Sequence, residues 1–150
     1  MGHAGVHCCR DRRGTILIVV DTNVLAYLLL SEERSAAAQA VLERDSNWIA
    51  PPIWRCEFRN VLVQHVRRKI FAETRAREAW PLADGLVRTI AEPDPELVLT
   101  TAFARNLSAY DAEFVALADA SGVRLVTDDT EVLERCPDIA ISIRAFAGGA

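Results

Sequence analysis

The sequence predicts an α/β domain of three layers, in which helices cover both faces of a central, mostly parallel sheet of about five strands. Ile16–Val20 is a short, continuous β-branched run, which is typical of a strand buried on both faces. Similar short runs alternate with longer helical segments along the chain, as in a parallel sheet joined by crossover helices. Such sheets place their sites beyond the carboxyl ends of the strands.

The composition agrees with a single globular domain. The chain has 150 residues, of which 51% are hydrophobic and 25% are charged, and a chain of that length hides about 70% of its unfolded surface. Acidic residues outnumber basic residues by 21 to 17, which gives a formal charge of −4. This balance argues against a nucleic-acid coat protein held by charge alone, although metal-binding carboxylates of a nucleic-acid enzyme would also supply such an excess.

The first 14 residues are expected to form a flexible extension ahead of a folded domain at residues 15–147. The metal-binding side chains of this extension are His3, His7, Cys8 and Cys9. Zinc sites generally pair ligands from two separated segments, and no second cluster follows in the sequence, so no metal site is predicted there. Adjacent cysteines do not suggest a disulfide framework either, which favours a reducing, cytoplasmic location.

The apolar run at residues 16–30 imitates a signal peptide, because Arg10, Arg12 and Arg13 precede it. Asp21–Asn23 interrupts the run, and a central Asp costs ~2.5–3.5 kcal/mol on membrane-insertion scales. The run is also shorter than the ~20 residues of a membrane span. We therefore expect a strand followed by a helix, and no membrane association.

The first half of the chain is predicted to continue with two helices, a strand and a long helix. Val24–Leu30 and Ser35–Arg44 are the two helices, the second supported by its alanine and leucine content. Trp48–Ala50 is a short strand, which ends at Pro51-Pro52. Ile53–Ile70 is amphipathic, since its apolar residues recur at helical spacing.

The second half is predicted to contain four more helices and two strands. Thr74 is a candidate N-cap for a helix that runs toward Ile90, kinked or divided at Pro81. Ser108 and Gly122 bound a later helix as N-cap and terminator. The remaining elements are helix Glu96–Arg105, helix Ala109–Ala120, strand Arg124–Thr127, helix Thr130–Arg135 and strand Ile139–Ile143.

Four acidic residues occupy positions where carboxylates can form a site. Asp21 and Asp129 follow strand ends, Glu57 lies in the long helix, and Asp111 opens a later helix. Each also has an ordinary role open to it: a cap for Asp21 and Asp129, helix-dipole stabilisation for Asp111, and an ion pair with Arg59 or a neighbouring arginine for Glu57. Gathered at one sheet edge, such carboxylates repel by roughly 4 kcal/mol per pair at 4 Å and an effective dielectric of 20, so they take up protons or bind a cation. All-oxygen ligation favours Mg²⁺ or Mn²⁺ over Zn²⁺ and suits phosphodiester chemistry.

Four segments in order, VVDTNVLAYLL, EFRNVL, SAYDAEFVALA and LVTDDTEVL, resemble the PIN-domain family, and most of all the VapC-type toxins of prokaryotic toxin–antitoxin pairs. The resemblance covers residues 16–146. It implies a PIN-like fold and a Mg²⁺- or Mn²⁺-dependent endoribonuclease, which hydrolyses RNA without a covalent intermediate and leaves a 3′-hydroxyl and a 5′-phosphate. The family's acidic quartet falls on Asp21, Glu57, Asp111 and Asp129.

Further positions are candidates for supporting these acids or contacting substrate. They are Thr22, Asn23, Asn60, Thr127, Asp128, Arg55 and Arg59. Asn60 lies one helical turn from Glu57 on the same face. Asp128 occupies the variable position of the last motif, and the sequence leaves open whether it substitutes for Asp129 or assists it.

Basic residues are concentrated between residues 55 and 77, which contain seven of them against two acids. Next to an acidic site, such a group predicts a rim that contacts phosphates. The resemblance also implies a homodimer and an antitoxin, VapB-like, whose C-terminal segment lies across the site. Exposed apolar residues such as Tyr27 and Leu28 are candidate contacts for that partner. Trp48, Trp54 and Trp80 are expected in the core, and His65 on a helix surface.

Three other classes of protein are alternatives to a nuclease. A phosphoacceptor receiver needs a lysine after a late strand, whereas the single lysine, Lys69, lies in a long helix. A haloacid-dehalogenase-like phosphatase needs Asp-x-Asp after the first strand, where this chain has Asn23 in the third place. A non-catalytic PIN-like module that binds RNA or protein stays open.

Overall fold

Five short strands form one parallel sheet in the computed structural model, which describes residues 17–148. The strands are β1 (Leu17–Val20), β2 (Asn47–Ala50), β3 (Val87–Thr89), β4 (Leu125–Val126) and β5 (Ala140–Ile141). They lie in the order β3-β2-β1-β4-β5, and all four pairings are parallel. The chain therefore winds outward in opposite directions from β1, which makes the carboxyl end of β1 the topological switch point where α/β folds place their sites.

Eight helices within residues 17–148 flank this sheet. They are α1 (Thr22–Leu30), α2 (Ser35–Arg44), α3 (Ile53–Arg67), α4 (Glu73–Leu86), α5 (Pro95–Arg105), α6 (Ala109–Ser121), α7 (Thr130–Arg135) and α8 (Ile143–Gly148). The predicted α/β class with a parallel sheet of five strands is confirmed.

The core lies on β1 and the elements packed against it. Ile18, Val19 and Val20 have no exposed surface, which explains why the strand is continuously apolar rather than alternating. Trp54 of α3 is also completely buried, and its ring stacks on Trp80 with 5.7 Å between the centroids. Burying a large apolar side chain stabilises a fold by ~1.5–3 kcal/mol, so these contacts fix α3 and α4 relative to the sheet.

The prediction of a helix running toward Ile90 was wrong. The helix ends at Leu86, and Val87–Thr89 forms β3, whose Arg88 pairs with Ile49 of β2. β3 is an edge strand in which only Val87 is buried, so it lacks the apolar run that marked the central strands.

The helix before β3 also differs in its details from the prediction. Its N-cap is Ala72 rather than Thr74, and the helix continues through Pro81 without division.

The last predicted strand was too long. Only Ala140–Ile141 pairs with β4, and Ile143 begins α8, which packs against α2. Ile143 and Phe146 are buried on the inner side of this helix. The alternating isoleucines at residues 139–143 fit the pattern of a strand. The short helix forms instead because it packs against α2.

The predictions for the N-terminal extension, including its histidines and cysteines, fall outside the described residues. Cys56 and Cys136, which are described, carry free thiols. None of the helices in residues 17–148 combines the length and the apolar character that spanning a membrane requires.

Candidate functional site

Asp21 stands at the switch point of the sheet. Its backbone N–H donates to the carbonyl of Val126 (3.0 Å), which continues the pairing of β1 with β4. Its Oδ1 accepts from the backbone N–H of Thr22 (2.7 Å), so Asp21 is the N-cap of α1. The capping role that the sequence allowed is therefore present, and it uses one carboxylate oxygen while the other faces the end of β4.

Thr127 joins two segments of the site, residues 21–23 and 127–129, through one hydroxyl. The residue is fully buried, and its Oγ1 donates to Asp21 Oδ2 (2.8 Å). The same oxygen accepts from the backbone N–H of Asp129 (3.0 Å) and from Asn23 Nδ2 (3.3 Å). A threonine hydroxyl has one donor and two lone pairs, so this one is fully used. Its hydrogen bonds fix the carboxylate of Asp21 relative to the loop that carries Asp129.

Glu57 reaches the same site from α3. Thr22 Oγ1 donates to Glu57 Oε1 (2.9 Å), and Thr22 is buried with 6% of its surface exposed. The alternative ion pair with Arg59 is not formed, because residues two apart on a helix point in different directions and Arg59 lies over the ring of Trp80 (5.2 Å). Glu57 is thus oriented by the residue that directly follows Asp21.

Asp111 and Asp129 are both placed by helix N-termini. Ser108 caps α6 by accepting from the backbone N–H of Asp111 (3.1 Å), and its hydroxyl donates to Asp111 Oδ2 (2.7 Å). Asp129 caps α7 by accepting from the backbone N–H of Val132 (3.0 Å). Each carboxylate is therefore held by its own helix rather than by a neighbouring cation.

The four acids, which we call the acid site (Asp21, Glu57, Asp111 and Asp129), act on one another electrostatically. The pKa of Asp21 is raised to about 6: burial is the largest cause, the charges of Asp111 and Asp129 add to it, and the hydrogen bonds from Thr127 and Thr22 oppose it. Burial also raises the pKa of Glu57 to about 7, again with added repulsion from Asp21 and Asp111. The pKa of Asp111 is raised by burial and by the charge of Asp129. The charges of the predicted quartet thus interact in overlapping pairs: Asp21 with Glu57, Asp111 and Asp129, and Asp111 with Glu57 and Asp129.

Asp128 is not among the charges that raise those pKa values. Its side chain is exposed and its Oδ1 accepts from the backbone N–H of Ile143 at the start of α8 (3.4 Å). Asp129, which raises the pKa values of Asp21 and Asp111, is the acid of this pair that faces the site.

The remaining predicted residues fall on both sides of α3. Asn60 is exposed on this helix. Arg55 forms an ion pair with Asp84 of α4 and lies over the ring of Trp80 (5.0 Å), beside Arg59. The two candidate substrate arginines therefore face α4.

Glu113 is an acid near the site that the sequence did not single out. It lies two residues after Asp111 on α6 and is partly buried, and its charge contributes to the raised pKa of Glu57. Its own pKa is raised by burial and by repulsion from Glu92. Helix spacing gives no signal for it, since residues two apart do not share a face.

The donor set at the acid site suits a hydrated divalent cation. Within residues 17–148, no three His, Cys, Asp or Glu side chains are gathered as a ready set of metal ligands. The acids nevertheless feel one another's charge, and Asn23 Oδ1 is buried without a hydrogen-bond partner in the described structure. Mg²⁺ keeps several waters and takes only one or two protein carboxylates directly. An all-oxygen group of this kind therefore fits such an ion better than Zn²⁺.

Comparison with known protein families gives the class of this fold and site. The model of the PIN domain family matches residues 18–138, a range that contains all four acids of the site. This chain belongs to the PIN domain family.

Within that family, the chain resembles proteins of the VapC type. It is 33% identical over 129 residues to Ribonuclease VapC3 of Pyrobaculum aerophilum, which covers 80% of this chain and 95% of that protein.

Solved structures share the fold at lower identity. The crystal structure of PAE2754 from Pyrobaculum aerophilum matches with a TM-score of 0.73 and 21% identity, over 89% of this chain and 88% of that one. The structure of VapBC2 from Rickettsia felis bound to a DNA fragment from their promoter matches with a TM-score of 0.63 and 14% identity, over 85% and 98%.

Proposed function

We propose that this protein is a VapC-type endoribonuclease that hydrolyses RNA phosphodiester bonds with the help of Mg²⁺ or Mn²⁺. The observation that carries the proposal is the electrostatic coupling of Asp21, Glu57, Asp111 and Asp129 at the switch point of a PIN-domain sheet. The similarity to a ribonuclease over most of both chains supports the same activity.

Asp21, Asp111 and Asp129 would hold the cation, and Glu57 would complete its shell or orient the attacking water. A bound divalent cation lowers the pKa of a coordinated water and polarises the scissile phosphate. Thr127 keeps one oxygen of Asp21 in a fixed direction, and Thr22 does the same for one oxygen of Glu57.

The partners follow from the same proposal: an RNA substrate, a VapB-like antitoxin and a second copy of the chain, all in the cytoplasm. A groove of about 650 Å³ between α3 and α4 offers apolar side chains with arginines beside them, which suits an apolar protein segment with an acidic edge. Val63, 44% exposed, lines this groove. Tyr27 and Leu28, expected to be exposed for the antitoxin, are partly buried against the core instead.

Self-association is supported by a different surface. Phe103 of α5 is 81% exposed, and Leu99 one turn earlier and Tyr110 at the start of α6 are also exposed. Exposed apolar patches of this kind mark protein interaction sites, and this one adjoins Asp111 in the chain.

The decisive test compares RNA cleavage by the purified protein in Mg²⁺ or Mn²⁺, in EDTA, and by an Asp21→Asn variant. We expect metal-dependent cleavage that falls by about a thousandfold or more in the variant, because an essential group of a catalytic set is lost. Asp119→Asn, an exposed acid on the far end of α6, is the matched control and should cleave normally. Equal cleavage by Asp21→Asn and wild type, or none by either across many RNAs, would contradict the proposal.

The alternative is a PIN-like module that binds RNA or protein without cleaving. The lack of a gathered set of metal ligands among the described residues is the observation that favours it. RNA binding without cleavage in any divalent metal would establish this alternative.

A further inference from the structure

A second cavity lies at the other end of the contact between α1 and α3. It encloses about 340 Å³ and is lined by Ala26, Tyr27, Leu30, Ser31, Arg34 and His65. The two helices are adjacent at Thr22 and Glu57 and again at this cavity. His65 follows Glu57 by eight positions of α3, about 12 Å at 1.5 Å per residue. A single RNA strand crosses that distance within a few nucleotides.

Arg34, an exposed residue, lines this cavity and is held by Tyr27. Its guanidinium lies over the ring of Tyr27 (4.7 Å), and Nη1 donates to the phenol oxygen of the same residue (2.5 Å). No carboxylate lines the cavity, and Arg34 has no acid partner among the described residues. A guanidinium fixed in this way loses little freedom when it binds an anion, so Arg34 is prepared for a phosphate.

His65 presents one defined ring nitrogen. Its Nδ1 lies 2.9 Å from the carbonyl of Val61, and because a carbonyl only accepts, Nδ1 carries the proton. In the neutral ring Nε2 is therefore an acceptor. The ring also stacks on Phe71 with 5.2 Å between the centroids, which restrains its orientation. Ser31 Oγ accepts from the backbone N–H of Arg34 (3.1 Å), which leaves its hydroxyl proton to donate.

We propose that this cavity binds one nucleotide of the RNA strand, a few nucleotides away from the bond that is cut at the acid site. The inference rests on the proposed nuclease function and assigns it a second substrate contact. Arg34 binds the phosphate, Ser31 donates to it, and His65 Nε2 accepts from the ribose 2′-hydroxyl, the group by which a site tells RNA from DNA. The volume lies in the range of pockets that hold small ligands.

The test compares two substrates and three variants. Cleavage is measured on mixed-sequence RNAs of about four and about twelve nucleotides, lengths that bracket the span of a single-strand site. The variants are Arg34→Ala, His65→Asn, which keeps an N–H donor for the Val61 carbonyl, and Arg44→Ala. Arg44 also lies over an aromatic ring, that of Phe146 (5.4 Å), outside the cavity, so it controls for the loss of one charge.

For the long RNA we expect Arg34→Ala to raise KM about tenfold with kcat unchanged, and to lower the slope of log KM against log salt by about 0.7, as for one phosphate contact on a single strand. His65→Asn should raise KM for RNA and reduce the preference for a ribonucleotide over a deoxyribonucleotide. The short RNA and the control should behave as wild type. A purely structural role would change thermal stability and both substrates alike.

Equal KM values for the long RNA in wild type and Arg34→Ala would overturn the inference while leaving the nuclease proposal intact. If the wild type cleaves no RNA, the proposed function fails, and equilibrium binding of the long RNA then judges the cavity. Weaker binding by Arg34→Ala than by Arg44→Ala would still support it, whereas equal binding or no binding would overturn it.

Discussion

The two sides of α3 differ in how they hold their charged residues. On one side Glu57 is partly buried, bonded to Thr22 and repelled by other acids. On the other side Arg55 and Arg59 lie near the surface over Trp80, and Arg55 is paired with Asp84. Glu57 is therefore destabilised as an anion by burial and by neighbouring acids at the switch point. Arg55, in contrast, is neutralised by an ion pair between α3 and α4. Position in the fold, rather than charge along the sequence, separates the candidate catalytic group from the residues that hold α4.

The largest effect is expected at the two adjacent acids of the last motif. Asp129→Asn should lower kcat/KM for RNA by about a hundredfold or more, since it removes a carboxylate that faces the acid site. Asp128→Asn should stay within about threefold of wild type, as surface substitutions usually do. Cleavage rates in Mg²⁺, with melting temperatures to confirm folding, give the answer. Equal losses in both variants would mean that both acids serve the site.

A smaller effect is expected at the contact that orients Glu57. Thr22→Val preserves shape but removes the donor to Glu57 Oε1, so kcat should fall about ten- to a hundredfold, the usual cost of losing a residue that orients a ligand. Thr22→Ser keeps the hydroxyl and should recover most of the rate. Steady-state kinetics of both variants test this, and a Val variant as active as the Ser variant would show that Glu57 needs no such positioning.

On the opposite side of α3, stability rather than activity should respond. Arg55→Met removes the pair with Asp84 and the stacking on Trp80, and should lower the free energy of unfolding by about 1 kcal/mol. Cleavage should stay within about threefold of wild type. Urea titration and RNA cleavage on the same preparation check both parts. A large loss of cleavage without loss of stability would place Arg55 on the substrate instead.

The smallest effect concerns an exposed pair far from α3. Arg105 donates to both carboxylate oxygens of Asp138 (2.5 and 2.8 Å), and these bonds lower the pKa of Asp138 below its ordinary value of 3.8. The unfolded chain then binds more protons near that pH, so the stabilisation is present above pH 3.8 and is lost as the pH falls through the folded pKa.

Because the Asp138 side chain is 58% exposed, solvent screening limits this contribution to about 0.5 kcal/mol. Asp138→Asn should show that difference from wild type in urea titrations at neutral pH and none in strong acid. A difference that persists in acid would point to a cause other than charge.

The sequence predicted well those elements that depend on the local pattern of apolar and polar residues. β1 is continuously apolar because it is central, and the acids lie where motifs and strand ends put them. β3 was missed because Arg88 and Thr89 are exposed on an edge strand. Its pairing with β2 therefore does not produce a run of apolar residues in the sequence. The helix at Ile143 was missed because its apolar residues fit the spacing of a strand as well as that of a helix. Packing against α2 selects the helix.

In the acid site, too, the sequence predicted the residue positions but not the orientations that depend on distant partners. The sequence named Asp21, Glu57, Asp111 and Asp129, but it did not reveal that Asp128 turns toward α8 or that Glu113 affects Glu57. It also named Arg55 and Arg59 as candidate substrate contacts, but it did not reveal that both lie over the ring of Trp80, because residues two apart on a helix are rotated by about 200°. Such orientations depend on partners that are distant in the chain.

The bond from Thr127 to Asp21 joins residues 106 positions apart, and this has a consequence for synthesis. Asp21 is synthesised early, but Thr127 and Asp129 are in place only when β4 has been made and has paired with β1. Contacts of such long sequence separation form late, since loop closure must precede them. A growing chain therefore carries the acids of the site without the arrangement that unites them. The acid site can therefore be assembled only after β4 and the loop that carries Asp129 have been made, so a shorter chain is expected to be inactive.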